Sequence, residues 1–254
     1  MIGIFDSGAG GLSVYKEIFK LLPKEKYIYF SDNAHCPYGE KSQEYIIERA
    51  CAITELLMGK GCNVIVVACN TATAAAISTL RSRYDIPFIG MEPAVKPAAL
   101  ATRSRVVGVL ATAGTLKASK YLDTKDKYTD GVKVVEHVGQ GFVELVENGV
   151  LEGAEAESVV RESVRPLIEA GSDIIVLGCT HYPFLKHLVQ KIAGEGVSVI
   201  DPAPAAARHL LDVARMKGLI KEDGNLQATD PKDADIELIS SGDRSALERI
   251  FDLL

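Results

Sequence analysis

The sequence predicts an α/β protein made of two similar three-layer units with mostly parallel sheets, related by pseudo-symmetry, with the functional site in the cleft between them. Three observations predict this. Apolar runs of strand length alternate with amphipathic stretches of helix length along the 254 residues. The runs are apolar on both faces, as in parallel sheets covered by helices on each side. The two halves also echo one another. Residues 64–71 read Val-Ile-Val-Val-Ala-Cys-Asn-Thr and residues 174–181 read Ile-Ile-Val-Leu-Gly-Cys-Thr-His. The glycine-containing openings at 3–10 and 107–114 form a second matched pair.

Taken in order, strands are expected at 2–5, 27–30, 64–67, 87–89, 106–110, 132–136, 174–177, 197–200 and 236–239. Helical patterns fall between them, among others at 43–58, 72–83, 155–170 and 183–192. Pro166 is expected to kink or split the third, because proline lacks an amide proton and clashes with the preceding turn. Cys69 follows Asp6 by 63 positions and Cys179 follows Thr112 by 67, so the repeat spacing is similar in both halves. Pro93 and Pro97 mark a crossover. The expected division is a first domain of residues 1–95 plus 205–254 and a second of 96–204.

Composition narrows the function. A net charge of −6 argues against nucleic acid, whose binding needs clustered Lys and Arg. It gives no support for anionic membranes either. No basic, apolar leader and no membrane-length apolar run is seen, so a cytoplasmic protein is expected. Its five cysteines are then reduced thiols. No C-x-x-C occurs and His35-Cys36 lacks a second ligand pair, so no metal site is expected.

Asp6, Asp32, Cys69, Glu92, Thr112 and Cys179 all fall at or just past a predicted strand's C-terminal end. Parallel sheets bind ligands outside those ends. A lone strand-end cysteine is usually a packing residue, which is the reading for Cys36, Cys51 and Cys62. Cys69 and Cys179 form a matched pair, each followed by hydrogen-bonding residues. A helix N-terminus after each strand would favour the thiolate. Each could then take a proton when ionised and give one when protonated. His181 lies close enough to Cys179 to exchange a proton or support a thiolate.

Residues 6–11, Asp-Ser-Gly-Ala-Gly-Gly, lack the lysine of a P-loop. A dinucleotide loop would use Gly8 and Gly10 with Asp32, but Asp6 would sit against the pyrophosphate. In a third reading the glycines let backbone amides approach a small ligand's carboxylate, with Asp6 as a catalytic or amine-binding group. Glu147, from the residues alone, reads as a helix surface charge.

Five segments then resemble the cofactor-independent aspartate/glutamate racemases. They are Gly3-Ile4-Phe5-Asp6-Ser7-Gly8-Ala9-Gly10-Gly11-Leu12, Asp32-Asn33-Ala34-His35-Cys36-Pro37-Tyr38-Gly39, Val66-Val67-Ala68-Cys69-Asn70-Thr71-Ala72, Glu92-Pro93-Ala94-Val95-Lys96-Pro97 and Leu177-Gly178-Cys179-Thr180-His181-Tyr182-Pro183. They stand in family order from the first residues to past position 180. The resemblance implies racemisation of glutamate without a cofactor, in a homodimer that supplies D-glutamate for peptidoglycan. It implies that Cys69 takes the proton from D-glutamate and Cys179 from L-glutamate. Asp6 would assist Cys69, and His181 with Glu147 would assist Cys179. Substrate contacts would come from Ser7, Tyr38, Gly39, Asn70, Thr71, Thr112, Thr115 and Thr180. Three positions depart from the usual pattern: His35 for Arg, Glu144 for Pro, and Ala118 for Ser. Three alternatives stay open: an aspartate racemase of the same family, a Cys-His acyl-transfer enzyme using Cys179 and His181, and a two-lobed small-molecule binding protein.

Overall fold

The computed structural model describes residues 1–220 and 230–254. Among the described residues, nine strands form two separate parallel sheets. The first contains β1 (Ile2–Asp6), β2 (Tyr27–Ser31), β3 (Val64–Val67), β4 (Phe88–Gly90) and β9 (Ile236–Ser240), ordered β4-β3-β1-β2-β9. The second contains β5 (Val106–Ala111), β6 (Lys133–Val138), β7 (Ile174–Gly178) and β8 (Ser198–Ile200), ordered β6-β5-β7-β8. All pairings between these strands are parallel.

The sheets share one wiring. In each, the first strand lies between the second and the third, and the third carries the fourth at its far side. Thus β1 corresponds to β5, β2 to β6, β3 to β7 and β4 to β8. Strand β9 is the addition that breaks the match. In each sheet the first and third strands lie side by side and their chain connections leave in opposite directions. Open α/β sheets place ligands at such a point.

Two-sided burial explains the apolar runs. In β3, Val64 and Val66 face one core cluster while Ile65 and Val67 face another. In β7, Ile175 and Leu177 face the first cluster while Ile174 and Val176 face a third. The first cluster includes residues of both sheets, from Ile2 and Ile4 to Ile175 and Leu177, so one apolar core joins the two units. The Ala203–Met216 helix packs on the Leu12–Leu21 helix of the first unit, and β9 extends that unit's sheet.

Two local expectations are corrected. Pro166 does not split its helix, which runs unbroken over Gly153–Glu169. The proline sits in the last turn. Glu162, whose carbonyl loses its usual partner, is exposed to water, while Val164 and Leu167 are fully buried and hold the turn in place. The segment after β7 is not one helix. Tyr182–Leu185 forms a 3₁₀ turn containing Pro183, and the α-helix starts only at Lys186. Among the described residues, no helix is long and apolar enough to cross a membrane.

Candidate active site

The two cysteines come from corresponding places in the two sheets. Cys69 follows Ala68 just beyond β3 and Cys179 follows Gly178 at the end of β7. Both line one small cavity, with an empty space of about 270 Å³ including its mouth. Its wall is completed by Ser7, Tyr38, Gly39, Asn70, Thr71, Thr112, Thr180 and His181, together with Pro37 and Val143. Seven of the eight expected substrate contacts therefore share a cavity with both thiols. The eighth, Thr115, is fully buried behind it, hydrogen bonded to Thr71 at 3.3 Å and Thr112 at 3.0 Å.

Pro37 and Val143 were missed by sequence reasoning. Pro37 adjoins Tyr38 and Gly39, and Val143 lies in the same helix as Glu147, so neighbourhood was the available signal. Asp32 and Glu92 do not join the cavity. Asp32 is fully buried and takes both arms of Arg49, at 2.9 and 2.7 Å, as well as the Tyr38 hydroxyl. Burial opposes its charge, but Arg49 and Tyr38 hold its carboxyl below the usual range. Glu92 is 47% exposed and pairs with Lys120 at 2.6 Å.

On one wall, Cys69 caps the Asn70–Arg83 helix and its sulfur accepts the Ala72 amide at 3.4 Å. The thiol faces the Ser7 hydroxyl at 3.8 Å. A helix N-terminus lowers a thiol pKa, yet here the balance runs the other way. Burial, and after it the Asp6 carboxylate, push Cys69 well above the usual thiol range. The helix N-terminus that favours the thiolate is outweighed: the thiol is 5% exposed and Asp6 adds to the cost of a second negative charge. Asp6 itself is fully buried, and burial raises its pKa against the pull of His181 and the Gly11 amide.

On the other wall, the Cys179 sulfur lies 3.8 Å from His181 Nδ1, and His181 Nε2 lies 2.6 Å from Glu147 Oε1. Burial opposes charge on the ring. The contacts with Cys179 and Glu147 outweigh it and hold the imidazolium well above the usual histidine range. A doubly protonated ring donates from both nitrogens, which suits a sulfur on one side and a carboxylate on the other. Burial likewise opposes the Glu147 charge, but His181 and the Ala9 amide overcome it and lower its pKa. Glu147 is therefore no surface charge: its side chain is 18% exposed. Sequence alone misplaced it because its contacts, Ala9 and His181, are remote along the chain.

The glycine loop has a different use from the one expected. Its Ala9 amide donates to Glu147 at 2.8 Å and its Gly11 amide to Asp6 at 2.9 Å, so both serve protein carboxylates. A Cβ on Gly10 would stand 2.3 Å from His181 Nδ1, and one on Gly8 would stand 2.2 Å from Glu147 Oε1. Bare backbone is what lets the first unit's loop touch the second unit's residues. Among the described residues, both amide atoms of buried Asn70 and one Asp6 oxygen have no hydrogen-bond partner.

The third strand of each sheet thus brings a thiol to one small cavity, with a carboxyl group beside one and an imidazolium beside the other. This is a two-thiol site in a duplicated α/β fold. Residues 2–210 match the family described as Asp/Glu/hydantoin racemases, and the chain belongs to that family. It is 48% identical to a glutamate racemase of Ectopseudomonas mendocina, over all of this chain and 94% of that one. Among solved structures it is similar to the glutamate racemase of Bacillus anthracis, with a TM-score of 0.85 and 32% identity over 100% of this chain and 92% of that one. It is equally similar, at a TM-score of 0.85 and 32% identity over 99% and 92%, to an Escherichia coli glutamate racemase solved with L-glutamate and the activator UDP-MurNAc-Ala.

Proposed function

We propose that the protein interconverts L- and D-glutamate by proton transfer at Cα between Cys69 and Cys179, without a cofactor. The observation that carries this is the placement of both thiols in the wall of a single small cavity. The similarity to glutamate racemases over the whole chain supports the choice of substrate. Two proton carriers on opposite faces of one carbon invert it: one removes the proton while the other delivers a different one.

The two walls suit one direction directly. Burial keeps Cys69 protonated, ready to give a proton. Cys179, backed by the His181 imidazolium, takes the Cα proton of L-glutamate. Cys69 then delivers to the opposite face and D-glutamate results. For the return reaction Cys69 must first lose its proton, with Asp6 beside it as the assisting group.

Removing the Cα proton builds negative charge on the substrate. The wall offers hydroxyls and amides to meet it, from Ser7, Asn70, Thr71, Thr112 and Thr180. It contains no lysine for a Schiff base. The unpartnered amide of Asn70 has free donors and an acceptor for an amino acid's ammonium and carboxylate groups. Beside the cavity, and sharing Gly39 and Thr71, lies an open groove lined by Lys41 and Lys117, an approach suited to an anionic amino acid.

The reading extends to a cytoplasmic homodimer that supplies D-glutamate for peptidoglycan. Its domains are residues 1–95 with 205–254, and 96–204; the packing of the Ala203–Met216 helix on the first unit supports the discontinuous first domain.

The test is circular dichroism of L- and D-glutamate, each incubated with enzyme in heavy water. Racemisation should carry deuterium into Cα, mainly in the product enantiomer. Inversion without deuterium in either direction would sink the two-base scheme. Turnover of aspartate in place of glutamate would redirect the substrate assignment. The Cys179–His181–Glu147 order also fits a nucleophile, base and orienting acid, so an acyl adduct on Cys179 seen by mass would favour acyl transfer instead.

A further inference from the structure

One thiol near the cavity has no part in the proton transfer. Cys36 is partly buried, and its sulfur lies against Glu147 and His181. A sulfur of Cys36, a carboxylate oxygen of Glu147 and a ring nitrogen of His181 all lie within 4.8 Å of one another. These are three different donor types, S, O and N, converging from three separate parts of the chain. The floor of the cluster is bare backbone. A Cβ on Gly8 would stand 2.2 Å from Glu147 Oε1 and 3.2 Å from Cys36 Sγ.

We propose that Cys36, Glu147 and His181 form an inhibitory site for a thiophilic divalent cation of the zinc class. Cysteine, histidine and carboxylate are the donors such ions prefer, and three of them with an open fourth position make a recognised coordination set. Glu147 and Asp6 both bear on the Cys36 sulfur, so once His181 has given up its proton an added dication lies beside two carboxyl groups.

The fit requires a small adjustment. Bond lengths near 2.0–2.3 Å around a tetrahedral ion separate neighbouring donors by roughly 3.3–3.6 Å. The 2.6 Å between His181 Nε2 and Glu147 Oε1 must therefore open by somewhat under an ångström. Binding expels the Cys36 thiol proton and the Nε2 proton of His181 to solvent. It replaces the His181–Glu147 hydrogen bond with two metal bonds. Only the Nδ1 proton remains, so the imidazolium that supports Cys179 is replaced by a metal-bound imidazole. A soft cation therefore stops racemisation by occupying the residues beside one thiol.

The test titrates Co²⁺ and Zn²⁺ into chelator-treated wild type, Cys36→Ala and Cys36→Ser. Wild type should bind one equivalent of Co²⁺ with a thiolate-to-cobalt absorption band, and Zn²⁺ should inhibit it reversibly. Cys36→Ala should racemise like wild type in metal-free buffer, lose the band, and need at least about tenfold more Zn²⁺ for the same inhibition. Cys36→Ser should behave alike, which guards against a packing defect in the alanine variant. A band that persists in Cys36→Ala and vanishes in Cys179→Ser or Cys69→Ser would overturn the proposal, as would equal Zn²⁺ sensitivity with and without Cys36. The cobalt spectrum is indifferent to which amino acid is turned over, so it fails or succeeds independently of the glutamate assignment.

Discussion

The two walls of the cavity are built by the same wiring and carry opposite electrostatics. Cys69 sits at a true helix N-terminus and faces Asp6, a buried acid whose pKa is raised. Cys179 is followed by a 3₁₀ turn in place of a helix, and faces a buried imidazolium paired with Glu147. Duplication supplied two thiols at matched positions. Their chemistry was then set by what each neighbour brought. The neighbours that matter cross between units: the loop carrying Ala9 and Gly10 comes from the first, and the residues it touches, Glu147 and His181, come from the second.

Four experiments break or sharpen this comparison. The largest effect is expected from removing either thiol. Cys69→Ser and Cys179→Ser should each lower kcat/KM by at least about 10³-fold, measured by circular dichroism of both enantiomers. Because the L/D equilibrium constant of a racemase is one, each variant must lose kcat/KM equally in both directions. The difference between the walls has to appear in the separate kcat values and in the Cα deuterium isotope effects. Full activity in either variant would remove that wall from the reaction.

Next is Gly10→Ala. An added methyl at 2.3 Å from His181 Nδ1 forces the ring away from Cys179. A loss of about 10²-fold in kcat is expected, since small displacements of a catalytic group cost this much. Activity near wild type would show that the loop does not set the position of His181.

Glu147→Gln is milder. In chelator-treated buffer it should lower kcat by roughly tenfold or somewhat more. The glutamine cannot supply the charge that helps keep His181 protonated, so the alkaline limb of the pH–rate profile should move to lower pH. An unmoved limb would show that Glu147 does not tune the ring.

The smallest effect is on stability. The folded pKa of Asp6 is raised above its model-peptide value of 3.8, so its charged form opposes folding above that pH. Asp6→Asn should therefore raise the thermal midpoint at pH 7 by about 2 °C while lowering activity. The gain should shrink as pH falls toward 4, where the unfolded aspartate also takes up its proton. A lower midpoint at pH 7 would mean that the Gly11 amide bond outweighs the burial of charge.

The central strands were readable because they bury both faces, which leaves continuous apolar runs such as Val64–Val67 and Ile174–Gly178. The matched cysteines were readable because duplication preserved their place at the strand ends. Glu147 was legible only through family resemblance. Its partners lie 138 and 34 positions away, and no local pattern distinguishes a helix glutamate that faces a histidine from one that faces water. Asp32 and Glu92 looked equivalent to the site residues by position. They differ because Arg49 and Lys120, on neighbouring elements, claim their carboxylates.

What the sequence determined by itself is local and periodic: two parallel α/β units, their strand order of appearance, and a thiol at the end of a strand in each. Those follow from continuous apolar runs that bury both faces of a strand and from a spacing kept in both halves. What only the tertiary structure decided is the character of each thiol. A pKa depends on depth and on charges a few ångströms away, and the groups that set it here, Asp6 on one wall and His181 with Glu147 on the other, are held by a glycine loop whose bare backbone reaches from the first unit to the second.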